Sequence, residues 1–271
     1  MSTKKPSAPV GPRARQLAIA QAVIRNGSAS IDELVALTGV SAMTVYRDLT
    51  SLEDSGVLQR HRGLVVAVAS GLHEADAEFR LEQSSAEKRA VAACAGQLIG
   101  AGSSIMLDDS TSAVWVLRSL PDLSAVTVVT NSLLVAREVT DVARSERLVV
   151  TGGEYQAWAH ALMGPAAVRT IRSMHADTCI VSASGIFETG CYHPYQEVVE
   201  VKRAMLDSAE SKVLLLDHTK FNRRALFKFA DLQEFDHVIV DALTPATVIT
   251  HLEGLGVQVT VATGEGENPN I

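Results

Sequence analysis

The chain has 271 residues, of which 47% are apolar and 20% charged, and its formal net charge is −7. That length suits one large domain or a small one followed by a larger one, and the composition excludes a disordered, collagen-like or coiled-coil chain. The longest apolar runs, such as Leu64–Ala69, are strand-sized, far below the roughly 18 residues of a membrane span. The basic, proline-containing start has no hydrophobic stretch after it, so no secretory signal is expected. Cys94, Cys179 and Cys191 are far apart and form no CxxC pair, which predicts a cytoplasmic protein without a disulfide frame or structural zinc.

The charge is uneven along the chain. Residues 1–70 hold 8 Lys/Arg and 5 Asp/Glu while the remainder hold 16 and 26, giving a head of +3 and a body of −10. Such a split fits a head that alone meets a polyanion, although chance variation in a solvated surface gives a +3 just as readily.

Residues 1–13, with three prolines and Lys4, Lys5 and Arg13, read as a disordered arm. Residues 14–70 then show three short helical patterns. In the first, Leu17, Ala20, Val23 and Ile24 recur at helical spacing until Asn26-Gly27. Ser30 and Glu33 form a capping-box pattern ahead of Leu34 and Leu37, and Gly39 ends that segment. Ser41 caps the third, in which Val45, Leu49 and Leu52 share one face up to Gly56. Two helices, a glycine turn and a further helix make a helix-turn-helix. Burying that face turns Met43, Tyr46, Arg47, Thr50 and Ser51 outwards, with Thr44 and Asp48 on the flank. Val57–Arg60 and Leu64–Val68 read as a hairpin wing. The candidate DNA-binding residues are Ser41, Thr44, Tyr46 and Arg47 on the helix, with Arg60 and Arg62 on the wing. Hydroxyls and guanidinium groups there can donate to phosphates and major-groove base edges.

The run Val40-Ser41-Ala42-Met43-Thr44-Val45-Tyr46-Arg47-Asp48-Leu49, with Leu52-Glu53, Gly56 and Arg60 after it, resembles the DNA-binding signature of the DeoR family of bacterial regulators. Tyr46 stands where the family often has a second Arg, and Arg62-Gly63-Leu64-Val65 where its wing usually ends His-Gly-Gly-Ala.

Residues 71–83 are polar and read as a linker or connecting helix. From Ser84 to Thr263, helix-length stretches alternate with β-rich runs at Ser104–Asp108, Ala125–Thr130, Arg147–Thr151, Asp177–Ser182, Lys212–Asp217, His237–Asp241 and Val257–Ala262. Continuous Val/Ile/Leu runs separated by helices predict an α/β fold with a doubly wound, mostly parallel sheet. Most of these runs end in a polar residue, and in open α/β sheets ligands bind beyond the carboxyl ends of the strands. Asp108, Ser110, Thr111 and Ser112 lead straight into a helix, the usual place for a phosphate cradle. Asn131, Gly152 and Gly153 follow the next two strands. Lys202, on a helix at Gln196–Ala209, and Lys220 could add positive charge. Each also has a plainer reading: Ser110 and Thr111 as helix caps, Asn131 as a cap of its own helix, Gly152-Gly153 as a turn, and Lys202 and Lys220 as solvated. His160, His175 and His193 lack metal-ligand spacing, and Trp115 and Trp158 look isolated. Cys94 and Cys179 read as small core residues. Residues 264–271 read as a tail.

The loops at 107–112, 127–132, 152–153, 200–205 and 217–221 occur in the order found in the DeoR-family sensor domain, so the resemblance spans about residues 14–245. Ser110 and Ser112 stand where the family usually has a Gly and a Thr. The resemblance implies a sensor similar in fold to ribose-5-phosphate isomerases and CoA transferases. It also implies a phosphorylated sugar or polyol effector, with no catalytic residues, metal or cofactor. The expected protein is a homodimeric or homotetrameric repressor of a sugar or polyol catabolic operon, bound to a palindromic or repeated double-stranded operator. The rival expectation is an isomerase-like enzyme with a regulatory head, in which Asp108, Glu200 or Asp217 acts as base.

Overall fold

A computed structural model describes residues 11–61, 63–68, 74–120, 125–142, 147–221 and 223–263. Most of the expected arm, Arg62 of the wing and the expected tail lie outside the described residues. The chain divides into two compact units that adjoin in sequence at Phe79 and Arg80.

The first unit comprises α1 (Pro12–Asn26), β1 (Ser28–Ser30), α2 (Ile31–Thr38), α3 (Ala42–Asp54), β2 (Leu58–His61) and β3 (Leu64–Ala67). A further helix, α4 (Ala77–Glu82), runs across the unit boundary. Pro12 and Arg13 belong to α1 rather than to an arm. Proline suits a helix start because its missing N–H would have no helical partner there. The capping box at α2 forms as expected: Glu33 N donates to Ser30 Oγ at 3.3 Å, and Ser30 N donates to Glu33 Oε2 at 2.7 Å. Gly39 closes α2 in the left-handed region at φ +69, with its N–H on Val35 O at 2.9 Å. Ser41 caps α3 by accepting from Thr44 N at 3.3 Å.

Val45, Leu49 and Leu52 are fully buried with Ile19, Val23 and Leu34, which fixes the roll of α3. Asp48 is not on an open flank. It is buried against α1, where Arg15 Nε and Nη2 donate to its two oxygens at 2.5 and 3.1 Å. The wing has a third strand that the sequence hides: β1 pairs antiparallel with β3, which also pairs with β2.

The second unit begins with α5 (Ser85–Gly96), β4 (Ser104–Leu107), α6 (Thr111–Ser119), β5 (Thr127–Thr130), α7 (Leu133–Val142) and β6 (Arg147–Val150). It continues with β7 (Glu154–Gln156), β8 (Ala161–Met163), α8 (Pro165–Arg172), β9 (Ala176–Ser182), β10 (Gly185–Phe187) and β11 (Gly190–His193). Last come α9 (Gln196–Asp207), β12 (Ala209–Leu216), β13 (Phe227–Asp231), β14 (His237–Asp241), α10 (Ala246–Gly254) and β15 (Gln258–Ala262).

Seven strands form one sheet in the order β15-β14-β12-β9-β4-β5-β6, and every pairing is parallel. All seven expected strands are present, each within a few residues of its expected ends. Their side chains alternate between two cores. Ile105, Leu107, Ile180, Val213 and Leu215 meet α5 and α6 on one face. Met106, Cys179, Val181, Leu214 and Leu216 meet α8 and α9 on the other. The strand order reverses between β4 and β9: the chain leaves β4 towards β5 and β6, then returns to β9 on the other side. In open α/β sheets such a reversal is the place, beyond the strand ends, where ligands bind.

Two smaller pieces lie outside this sheet. A hairpin of β7 and β8 joins the end of β5 through a bridge between Ser132 and Ala161. A three-stranded antiparallel sheet runs β10-β11-β13. Cys179 and Cys191 are buried, Cys94 is half-buried, and all three thiols are free.

The two cores predict separable responses. Both tryptophans, Trp115 and Trp158, lie in the second unit. Leu49→Ala should therefore destabilise the first unit by about 2–5 kcal/mol. In urea, part of the far-UV circular dichroism change should move to lower denaturant while the tryptophan emission transition stays in place. Equal shifts of both signals would contradict independent cores.

Candidate functional site

In the first unit, α3 presents Met43, Tyr46, Arg47 and Thr50 to solvent, with Met43 71% exposed. Ser41 is exposed and Thr44 half-buried, and their hydroxyls lie 3.1 Å apart. Arg60 on β2 is not simply extended. Its guanidinium pairs with Glu53 of α3, its N–H donates to Glu53 Oε1 at 2.7 Å, and it lies 5.9 Å from the Tyr46 ring centroid. The Glu53 hydrogen bond raises the Arg60 pKa, and the same bond lowers that of Glu53. Among the described residues, the face thus carries one exposed guanidinium, Arg47, and a second, Arg60, already paired within the protein.

In the second unit, the strand reversal between β4 and β9 is built around a buried ion group. Asp108, directly after β4, has 0% exposure; Lys202 of α9 has 2% and pairs with it. Asp108 Oδ2 also accepts from Ser182 N, at the end of β9, at 3.0 Å, and Oδ1 accepts from Ser110 N at 2.9 Å. The buried Asp109 lies 3.6 Å from the same Lys202 ammonium. Burial alone would lower the Lys202 pKa, but the two carboxylates outweigh it and hold it above its ordinary value. Lys202 is therefore neither solvated nor an uncompensated cation, because two carboxylates meet its one charge.

Around this group the helix α6 begins with Ser110 as its N-cap, accepting from Ala113 N at 3.3 Å, while Thr111 and Ser112 are buried in its first turn. Asn131 is buried after β5 and donates to Leu162 O at 3.1 Å. The helix after it is capped by Ser132, whose Oγ accepts from Val135 N at 3.3 Å. Among the described residues, Asp109 Oδ1 and Asn131 Oδ1 are buried acceptors without a hydrogen-bond donor. Such atoms suit a ligand hydroxyl or a water.

Gly152 is exposed, and at φ +71 a Cβ added there would meet nothing within 4 Å. Gly153, at φ +121, packs so closely that an added Cβ would sit 2.4 Å from Met163 O. Its role is to let the hairpin close over Asn131. Lys220 is half-buried beside Asp217, which accepts from Thr219 N at 3.0 Å. Burial alone would raise the Asp217 carboxyl, but Lys220, the Thr219 hydrogen bonds and Lys88 hold it below the usual range.

Several site residues were not legible in the sequence. Trp158 is not isolated: its ring centroid lies 4.6 Å from that of Tyr195 and 6.2 Å from that of His193. Arg80 stacks its guanidinium 5.8 Å from Trp158. The buried Lys88 donates to Arg80 O, and Thr111 Oγ1 reaches the same oxygen at 3.4 Å. Of the carboxylates offered as a base, Asp108 is held by Lys202 and Asp217 by Thr219. Glu200 is exposed and accepts from Gln196 at 3.2 Å.

Lys202→Met should strand two buried carboxylates and destabilise the second unit by about 3–5 kcal/mol, read from tryptophan emission in urea. Adding Asp108→Asn should recover part of that loss; no recovery would argue against the pairing. Asp217 gives a pH signature. Its folded pKa is depressed, so its stabilisation is full above the unfolded value of about 3.9 and fades as pH falls through the folded one. The stability difference between the parent and Asp217→Asn should therefore shrink below about pH 4. A constant difference would refute this.

The model of the DeoR-like helix-turn-helix domain matches residues 15–70, and that of the DeoR C-terminal sensor domain matches residues 83–242. A protein of Escherichia coli O157:H7 named as a putative aga operon transcriptional repressor is 30% identical, over 92% of this chain and 93% of its own length. The glycerol-3-phosphate regulon repressor of Escherichia coli K12 is 30% identical, over 87% and 93%. Among solved structures, ribose 5-phosphate isomerase A of Methanocaldococcus jannaschii aligns with 51% of this chain and 54% of its own at 17% identity and a TM-score of 0.38, too low to carry an argument about function. A winged helix with an exposed arginine-bearing α3, followed by a parallel α/β unit with a buried ion group at its strand reversal, matches both domain models in order, and the chain belongs to the DeoR family of transcription regulators.

Proposed function

We propose that the protein is a repressor of a sugar or polyol catabolic operon, released from or held on its operator by a phosphorylated sugar or polyol. The observation that carries this reading is the pairing of an exposed α3 face bearing Arg47 with a separate unit holding buried polar atoms at its strand reversal. On DNA, α3 enters the major groove. Arg47, Tyr46 and Thr44 then face base edges and phosphates, Ser41 sits at the helix start, and Arg60 and Arg62 meet the flanking backbone. A homodimer or homotetramer would set two such heads on a palindromic or repeated operator. Binding DNA places the protein in the cytoplasm, with no membrane partner.

In the sensor unit, the first turn of α6 offers backbone N–H groups and the hydroxyls of Ser110, Thr111 and Ser112 to the phosphate, supported by Lys220. The two buried acceptors, on Asp109 and Asn131, take ligand hydroxyls. Asp108 and Lys202 hold these pieces in place, and Gly152-Gly153 close the hairpin beside them. The site binds without turning over: Asp108 and Asp217, the buried carboxylates offered as a base, are committed to neighbours. Linkage requires the effector to prefer one state of the protein; a hundredfold change in operator affinity needs a coupling of about 2.7 kcal/mol.

Promoter DNA from the protein's own locus tests the head. Arg47→Ala should weaken binding, measured by fluorescence anisotropy, by about 1–3 kcal/mol while the melting of the second unit is unchanged. Parent-like affinity would sink the assignment of α3. Thermal unfolding against paired phosphorylated and unphosphorylated sugars tests the sensor: ligand at about 100 times its dissociation constant adds about 2.7 kcal/mol. A shift with phosphorylated compounds alone supports the cradle, and no shift with any of them removes it.

A further inference from the structure

The face that α3 turns to solvent carries apolar side chains as well as a guanidinium. Met43, the second residue of the helix after its Ser41 cap, is 71% exposed, more than any other large hydrophobic among the described residues. Tyr46, three residues on and so beside it on the same face, is 43% exposed. Neither belongs to the core of Val45, Leu49 and Leu52. The Met43 side chain therefore adds little burial to the fold, and a partner that covers it gains that burial instead.

The Tyr46 ring has a backing. The guanidinium of Arg60 lies 5.9 Å from its centroid, and Glu53 holds Arg60 through both the side chain and the backbone N–H, the latter at 2.7 Å. Thr50, one turn further along, donates its hydroxyl hydrogen to Tyr46 O at 3.0 Å, which leaves it no hydrogen for a base acceptor. The hydroxyls of Ser41 and Thr44 lie 3.1 Å apart and share a hydrogen bond at the helix start. The face thus sets an aromatic ring and a flexible thioether side by side, next to the exposed Arg47.

In the major groove of B-DNA the C5 methyl of thymine is the apolar group, and an apolar side chain recognises it without a hydrogen bond. The residues of a recognition helix that reach base edges are those near its N-terminus. We propose that Met43 and Tyr46 form a thymine-methyl reader, so that the protein prefers operators with thymine under the N-terminal half of α3. The proposal rests on the reading of α3 as the helix that enters the major groove. It gives one face two kinds of readout: Arg47 donates hydrogen bonds, while Met43 and Tyr46 sense a methyl group. Cytosine is disfavoured at the same place, because it presents an amino donor that an apolar pair would bury without an acceptor.

Uracil tests this, since it differs from thymine by that methyl group alone. Promoter DNA from the protein's own locus is amplified once with dTTP and once with dUTP, and a scrambled duplex of equal composition is made both ways. Full-length protein is titrated against all four by fluorescence anisotropy at one salt concentration. Each methyl covered should be worth about fourfold in affinity, so one in each of two half-sites makes the thymine promoter about fifteenfold tighter than the uracil promoter. The scrambled pair should bind alike, through phosphates. Met43→Ala should bring the thymine-to-uracil ratio to within about twofold of unity, while Met43→Leu, which stays apolar and of similar size, should keep it. Tyr46→Ser should lower the ratio and Tyr46→Phe should not.

Equal affinity of the parent for the thymine and uracil promoters overturns the reader. So does a Met43→Ala variant that keeps the parent's ratio, or one that loses affinity for the scrambled duplex, because a methyl reader leaves the phosphate contacts intact. A parent that holds its own promoter no more tightly than the scrambled duplex instead overturns the reading of α3 as the base-reading helix. That outcome is distinct because it appears before any variant is made.

Discussion

The ion group of Asp108, Asp109 and Lys202 is the constraint on which the sensor unit depends. Lys202 comes from α9 and the two aspartates from the loop after β4, 94 residues earlier in the chain for Asp108. An ammonium and two carboxylates without bulk water carry a desolvation penalty that only close, multiply hydrogen-bonded geometry offsets. Asp108 satisfies that demand with three donors: the ammonium, Ser182 N and Ser110 N. Each donor comes from a different element, so one carboxylate fixes α9, the end of β9 and the start of α6 at once. The reversal of strand order makes this possible, since only at β4 and β9 do loops from both halves of the sheet meet. That site is thus set by electrostatics that hold before any ligand arrives.

The winged-helix unit solves a similar problem with a shorter reach. Asp48 lies on the half of α3 that faces α1, where a carboxylate would be costly alone, and Arg15 meets it with a two-pronged pair at 2.5 and 3.1 Å. The pair fixes α3 against α1, while Val45, Leu49 and Leu52 fix its roll. Arg47 is left pointing to solvent from a helix whose orientation is determined twice over. That rigidity matters for DNA, because base readout requires side chains to arrive in register with the groove.

How much of this was legible follows from how far apart the interacting residues are. Helix ends were readable because a cap involves residues three apart: Ser30 with Glu33, and Ser41 with Thr44. The seven parallel strands were readable because burial on both faces demands continuous Val/Ile/Leu runs such as Val213–Leu216. The antiparallel strands β10, β11 and β13 were not, since Gly190-Cys191-Tyr192-His193 has neither alternation nor a continuous apolar run. β1 was hidden for the same reason: Ser28-Ala29-Ser30 becomes a strand only because β3 lies beside it. At the site, the residue types and loops were visible, but the partners of Lys202 were not, and a lysine on a helix reads as solvated until its neighbours are known. Arg80 and Phe79 were lost in a polar stretch whose single aromatic gives no periodicity.

Both units use a common economy of charge, which bears on how each would respond to an anion. In the winged-helix unit Arg60 is paired with Glu53, and in the sensor unit Lys202 is paired with two aspartates. The Arg60 pair is partly exposed, its side chains 38% and 24% accessible, so water and salt already weaken it and a DNA phosphate can compete for the guanidinium. The Lys202 pair is shielded and cannot be exchanged at comparable cost, so it serves as framework rather than as a hand for ligands.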